Sequence, residues 1–259
     1  MPRRQERPPN PRVLFIDIET FPILAHVWTV YEANAVSVER NTMLCCFSAK
    51  WQGGAHITRA LPDYSGYRAG APDDQKLAAD LWGLLNEADI IVAQNGDRFD
   101  VKKINARLIK HGHTPPAPYK TVDTLKTARR IFGFDSNRLN DLCLFLGIGE
   151  KFHTGGFSLW KGCIDGNARA WARMRRYNAQ DVRLLERLYL RFLPWISNHP
   201  NVGAYSDGLV CPKCGSGDLQ SRGHGVNTTA VYRKFQCQEC GGWSRAANSV
   251  RKTKPLVNA

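Results

Sequence analysis

Two carboxylates stand one residue apart in Phe15-Ile16-Asp17-Ile18-Glu19-Thr20, at the end of an apolar run. Successive side chains of a strand alternate faces, so Asp17 and Glu19 project together, opposite Ile16 and Ile18. Like charges held that close repel unless something positive sits between them. An isolated Asp-x-Glu can also be a strand end that merely reaches solvent, so its meaning depends on what else converges there. Asp100 closes Gln94-Asn95-Gly96-Asp97-Arg98-Phe99-Asp100, directly after the apolar run 89–93. Strand C-termini are where open α/β sheets place their chemistry. Tyr177 and Asp181, in Tyr177-Asn178-Ala179-Gln180-Asp181, are four apart and share a helical face. Brought together, Asp17, Glu19, Asp100 and Asp181 would be unfavourable as a bare cluster and favourable around hard divalent cations, which take oxygen ligands. Two such ions roughly 3.5–4 Å apart can activate water and stabilise the leaving oxygen of a phosphodiester.

A second constellation is made of sulfur. Cys211-Pro212-Lys213-Cys214 and Cys237-Gln238-Glu239-Cys240 are two C-x2-C pairs with 22 residues between them, and a glycine (Gly215, Gly241) follows each. Four thiolates at this spacing read as a closed, tetrahedral structural Zn²⁺ site, with a redox dithiol as the lesser alternative. Cys45, Cys46, Cys143 and Cys163 have no ligand spacing and read as structural.

The elements that must position these groups follow from periodicity. Strands are expected over 12–16, 43–50, 55–60 and 89–93, with Gly53-Gly54 as a hairpin turn. Helices are expected over 73–87, 100–111, 136–146 and 167–196, and 119–132 reads as a strand leading into a helical turn. The stretch 151–166, rich in glycine and aromatics, reads as a loop. Strands alternating with helices in this order predict an α/β fold, a mixed sheet with helices on its faces. Near residue 200 the texture turns Gly- and Cys-rich. This divides the chain into a flexible basic tail (1–11), the α/β domain (12–200) and a small module (201–259).

Composition narrows the partners. The 259 residues carry a formal net charge of +13, with 43% hydrophobic and 10% aromatic residues. That content supports a packed core, and the charge points to a polyanion, of which nucleic acid is the commonest. No run of about 18 apolar residues marks a membrane span, and the N-terminus lacks a signal-peptide core. The cysteine usage fits a reducing, cytoplasmic setting better than disulfides.

The ordered set FIDIET, NGDRFD and YNAQD resembles the three motifs of the DEDDy 3′→5′ exonucleases, of the DnaQ-like, RNase H-like superfamily. The second motif is most similar to the exonuclease domain of family B DNA polymerases, and the resemblance covers roughly residues 12–196. It implies an RNase H-like sheet and two Mg²⁺ or Mn²⁺ ions. Asp17 would bridge both, Glu19 and Asp181 would complete the site of the ion that activates water, and Asp100 would serve the second. Tyr177 would orient the attacking water through its hydroxyl. The cysteine module likewise resembles a zinc ribbon, with Cys211, Cys214, Cys237 and Cys240 on one Zn²⁺. No polymerase domain follows the exonuclease-like part, which implies a stand-alone nuclease or a subunit acting beside a polymerase or another replication or repair protein.

Substrate contacts are the open part of this reading. Asn95 could bond substrate or brace its loop, and Phe21 could wedge against a terminal base or sit in the core. Phe152, Phe157 and Trp160 could stack bases, with Lys151 and Lys161 on phosphates, or the loop could fold on its own aromatics. Arg173 and Arg176, on an arginine-studded helix beside Tyr177, could meet the backbone or form a solvated face. Residues 201–259 hold eight Lys or Arg and three Asp or Glu. With Tyr232, Phe235 and Trp243 among them, the module could grip nucleic acid, dock protein or use those rings as its core. The expected activity is hydrolysis of DNA from single-stranded 3′ ends by two metal ions. The alternatives are an RNase H-like endonuclease, an RNA exonuclease, or a nucleic-acid-binding module that has lost catalysis.

Overall fold

The computed structural model describes residues 10–31 and 34–252, so the expected basic tail lies outside the described residues as far as Pro9. The described residues divide into two compact units, Arg12–Leu188 and the stretch from Tyr189 to Lys252, the latter with Asn10 and Pro11.

In chain order the elements are β1 (Val13–Phe21), β2 (Leu24–His26), β3 (Ser37–Arg40), β4 (Met43–Trp51) and β5 (His56–Ala60). Then come α1 (Gln75–Glu87), β6 (Ile90–Ala93), α2 (Asp100–Lys110), β7 (Lys120–Asp123) and α3 (Thr124–Ile131). After these follow α4 (Leu139–Phe145), α5 (Phe157–Ile164) and α6 (Ala168–Phe192). Five strands form one sheet in the order β5-β4-β1-β6-β7. β4 runs antiparallel to β1 and β5, while β6 runs parallel to β1 and β7. This is the expected mixed α/β sheet with flanking helices. The central strand β1 is buried through Leu14, Phe15 and Ile16, as a strand covered on both faces must be. One core joins it to Leu77, Leu81 and Leu85 of α1, Ile104 and Leu108 of α2, and Trp171 and Met174 of α6.

On α6 the buried positions continue from Trp171 and Met174 through Asn178, Asp181, Val182, Leu185 and Leu188, a three-to-four spacing. Asn178 and Asp181 therefore interrupt an otherwise apolar stripe. That stripe ends at Phe192 because Leu193–Trp195, containing Pro194, tightens into a 3₁₀ turn.

Two expectations about elements are corrected, and one pair of strands was not expected at all. Residues 157–164 are a helix rather than loop. Its buried face is only Leu159 and Cys163, too short a repeat to show a period. The helix expected over 136–146 begins at Leu139. Ser136 Oγ accepts from the Arg138 amide at 3.4 Å and pairs with Asp141 Oδ2 at 2.5 Å, shaping the entry instead of capping the helix. β2 and β3, which no sequence period marks, pair antiparallel on their own.

The smaller unit is built on β9 (Ala230–Cys237). β8 (Leu219–Val226) lies along one of its edges, and β10 (Trp243–Arg245) and β11 (Arg251–Lys252) follow along the other, all antiparallel. Among the described residues, no helix is long and apolar enough to cross a membrane.

Candidate active site

The site forms where two neighbouring strands part. β6 pairs with β1 only at Val13–Phe15 and stops at Ala93. Beyond that point the Ile18 N–H has lost its ladder partner, and the Asp100 carboxylate accepts it at 3.1 Å. The first residue of α2 is thereby fastened to β1 between Asp17 and Glu19. The loop that delivers Asp100 is sharply bent. Asn95 has φ 64°, and a Cβ on Gly96 would lie 2.4 Å from the Ala93 Cβ, so only glycine fits there. Asp123, at the end of β7, pins this loop by accepting from the Asn95 amide at 3.0 Å and the Asp97 amide at 3.4 Å. It also caps α3 through the Leu125 and Lys126 amides at 2.9 and 3.2 Å.

The α6 stripe supplies the remaining groups. Asn178 donates through Nδ2 to Asp17 Oδ2 at 2.5 Å and to the Asp17 carbonyl at 3.3 Å, while the Cys46 thiol donates to Asn178 Oδ1 at 3.6 Å. Asp17, Glu19 and Asp181 each offer an oxygen, and these atoms lie within 4.8 Å of one another. Lys151 places its ammonium 2.6 Å from Asp181 Oδ2 and 3.5 Å from the Tyr177 hydroxyl.

Electrostatics mark the cluster as charge-frustrated. Desolvation is the main force raising every carboxyl in it. Glu19 is pushed up to about 8 by burial and then by Asp181, and Asp100 to about 7 by burial, against its backbone hydrogen bonds. Asp17 stands well above the usual carboxylate range through burial, then Asp100, Glu19 and Asp181. Asp181 is raised by burial against the pull of Lys151. The Tyr177 phenol is raised by burial and by Asp181, so it is a proton donor across the neutral range. One ammonium does not neutralise four carboxyls. Asp181 Oδ1 is buried without a hydrogen-bond partner, and the donor set is all oxygen. Such a site fits a hard divalent cation.

A cleft of about 530 Å³ opens over Asp17, Asn95 and Lys151, with Arg129, Asn137 and Arg138 on its walls. The remaining sequence candidates fall as follows. Asn95 braces its loop through its backbone and lines the cleft. Phe21 is 1% exposed and packs on Trp171 at 5.8 Å, inside the core. Trp160 meets Tyr177 edge to face at 6.2 Å, and Lys161 pairs with Asp165. Arg173 donates to the His153 carbonyl at 2.7 Å, and both Arg173 and Arg176 lie over the Phe152 ring. These two arginines thus hold the segment before α5. Sequence reasoning missed Asn178, Asp123, Arg129 and Arg138. Asn178 alone carried a signal, since it sits three residues before Asp181 on the same face.

In the smaller unit the four cysteines converge, with Sγ–Sγ distances of 3.7 Å for Cys211–Cys240 and 3.6 Å for Cys214–Cys237. Tetrahedral Zn–S bonds of about 2.3 Å place sulfurs about 3.8 Å apart, so the spacing fits. Both loops turn alike. Gly215 donates to the Cys211 carbonyl at 2.9 Å and Gly241 to that of Cys237 at 3.0 Å, with φ of 79° and 74°. Cys143 and Cys163 are pushed up to about 11 and about 12 by burial, and Cys45 and Cys46 are raised by it too, as inert core thiols should be.

A parallel-and-antiparallel sheet with acids at the parting of its central strands defines a class, and the match to it is direct. The RNase_H superfamily pattern covers residues 14–193, and the chain belongs to that family. It is 30% identical over 145 residues to a PolC-type DNA polymerase III of Ureaplasma parvum serovar 3, spanning 54% of this chain and 10% of that protein. The family B DNA polymerase of the hyperthermophilic archaeon Pyrobaculum calidifontis shares the fold with TM-score 0.53 at 16% identity, over 74% of this chain and 26% of the polymerase. The chain thus corresponds to a small part of either relative.

Proposed function

We infer that the protein is a metal-dependent 3′→5′ exonuclease acting on single-stranded 3′ ends of DNA. The observation that carries this is the convergence of Asp17, Glu19, Asp100 and Asp181 beside Tyr177, next to a cleft that Asp17 and Lys151 line together with Arg129 and Arg138. Similarity to two DNA polymerases favours DNA. Asp17, Glu19 and Asp181 would hold Mg²⁺ or Mn²⁺, with Asp100 completing the set. When bound, these ions lower the pKa of the attacking water and stabilise the leaving oxygen.

The protein's own groups do the rest. Asn178 fixes the Asp17 carboxylate against β1, and the Ile18 amide fixes that of Asp100. Tyr177 stays protonated, so its hydroxyl orients water instead of taking a proton from it. Trp160 buttresses the Tyr177 ring. Lys151, within reach of both Tyr177 and Asp181, orients the same water or meets the scissile phosphate. Arg129 and Arg138 bind the phosphates upstream. In the smaller unit, the four cysteines would hold one structural Zn²⁺.

The test is one gel. End-labelled linear DNA and RNA and a circular single strand are incubated with Mg²⁺ or Mn²⁺. A ladder shortening from the 3′ end of linear DNA, no cutting of the circle, and no activity in Asp17→Ala are expected. Cutting of the circle, or undiminished activity in Asp17→Ala, rejects the reading.

A further inference from the structure

The smaller unit carries its own cleft, of about 630 Å³, within the size range of roughly 300–1,000 Å³ that holds small organic groups. Its walls are aromatic and cationic: Trp195, Lys213, Tyr232, Lys234, Trp243 and Arg245. No carboxylate is among the described residues lining it. Trp195 and Trp243 are 61% and 50% exposed, a large apolar area to leave in water.

The register of the sheet sharpens this. Lys234 on β9 lies directly opposite Arg245 on β10, and like charges paired across strands destabilise a sheet. Alternation puts Tyr232 beside Lys234 and Trp243 beside Arg245 on the same face. The Lys234 ammonium lies 5.7 Å from the Trp243 ring centre, and the Arg245 guanidinium 4.1 Å from that of Tyr232. The result is a checkerboard of two rings and two cations, with Lys213 at its margin, its ammonium held by the Pro194 carbonyl. The repulsion of Lys234 and Arg245 is relieved by an anion. The neighbouring indoles offer flat apolar faces at the same place. Alternating phosphate and base is the chemistry that meets both demands, as it does where rings and basic groups line single-strand grooves.

We propose that this cleft is a second nucleic-acid site, separate from the carboxylate cluster, which binds single-stranded DNA by stacking bases on Trp195 and Trp243 and placing phosphates on Lys234 and Arg245. The choice of DNA over RNA rests on the function proposed above. The cleft would hold substrate without touching the reacting bond.

The test uses the full chain and a fluorescein-labelled dT12, read by anisotropy without added divalent ions, with zinc content as the control for folding. Trp195→Ala with Trp243→Ala is expected to weaken binding about 10-fold or more, through the loss of base stacking on the two indoles. Lys234→Glu with Arg245→Glu should weaken it and reduce the dependence on salt by more than one phosphate contact, about 0.7 in log–log slope each. Both variants should hydrolyse bis-p-nitrophenyl phosphate at the parent rate, so failure of the nuclease reading appears separately, as absence of that activity in the parent. Parent-like affinity in either variant overturns the proposal. In the unmodified protein dT12 should also quench tryptophan fluorescence, and no quench overturns it however the variants fold. Tighter binding of oligo-U than of dT12 overturns the assignment to DNA.

Discussion

Asp17 would point several ways on a bare strand, and Asn178 is what selects one. Its amide spans the Asp17 carboxylate and carbonyl, and Cys46 in turn holds its oxygen. Side chains that orient a metal ligand typically cost about 10–100-fold in metal affinity or activity when removed. Asn178→Ala should therefore lower hydrolysis by about 10–100-fold and shift the Mn²⁺ titration to higher concentration, with rate partly recovered at saturating metal. Asp17→Ala should show no such recovery. A titration midpoint identical to that of the parent would remove Asn178 from the positioning of Asp17. The contrast also explains what sequence could show. The acids announce themselves because charge in an apolar run is conspicuous. A buried amide three residues from one of them looks like any polar helix residue until its partner is seen.

At the scale of elements, the acids depend on α1, α2 and β4 keeping their relative placement. One buried network does this. Asp74, 0% exposed at the start of α1, accepts from Arg107 Nε and Nη2 at 2.6 and 2.5 Å, from His111 at 2.7 Å and from the Leu44 amide at 2.8 Å. It ties the start of α1 and of β4 to the last turn of α2, whose first residue is Asp100. Burial alone would raise the Asp74 carboxyl, but Arg107, His111 and Leu44 outweigh it and hold it below the usual value. A depressed carboxyl contributes stability above its unfolded pKa of about 4 and loses it as pH falls through the lower folded value. Lowering pH from 5 towards 2 should thus reduce the urea midpoint of the parent, and less so that of Asp74→Asn. At pH 7 this substitution should cost about 3–5 kcal/mol, because Arg107 is left buried without its counter-charge. Equal midpoints for parent and variant at pH 7 would show that the network contributes nothing. The strands of the five-stranded sheet and the long helices were legible because an apolar run or a repeated period marks them, as none marks β2 and β3. α5 was not, with two buried residues to show, and neither were Arg129 and Arg138. Those two reach the cleft from α3 and from the entry to α4, whose approach is set by tertiary packing rather than by local pattern.

At the scale of the whole molecule, the two units are held together internally by different means. The larger has an extensive apolar core around β1. In the smaller one the buried apolar residues up to Val202 are Tyr189, Phe192, Leu193, Ile196 and Val202, and beyond it, among the described residues, only Cys211, Ala230, Val231 and Cys237, two of them cysteines of the tetrad. Domains this small rarely supply enough hydrophobic burial to fold alone, and a structural metal is a common remedy. Zinc bound by four thiolates contributes on the order of 10–16 kcal/mol near neutral pH, energy that is available only to the folded form. We therefore expect one zinc per chain and two calorimetric transitions with different sensitivities. Stripping zinc with a strong chelator, or Cys214→Ser, should abolish the transition of the smaller unit and leave that of Arg12–Leu188 within a few degrees. Mn²⁺ should do the reverse, raising only the larger unit's transition, by about 2.7 kcal/mol at a hundred times its dissociation constant. If Asp17→Ala removes the Mn²⁺ shift but not the zinc-dependent transition, the two metal sites are independent. A single transition that neither chelator nor Mn²⁺ moves would remove both metals from the description of this protein.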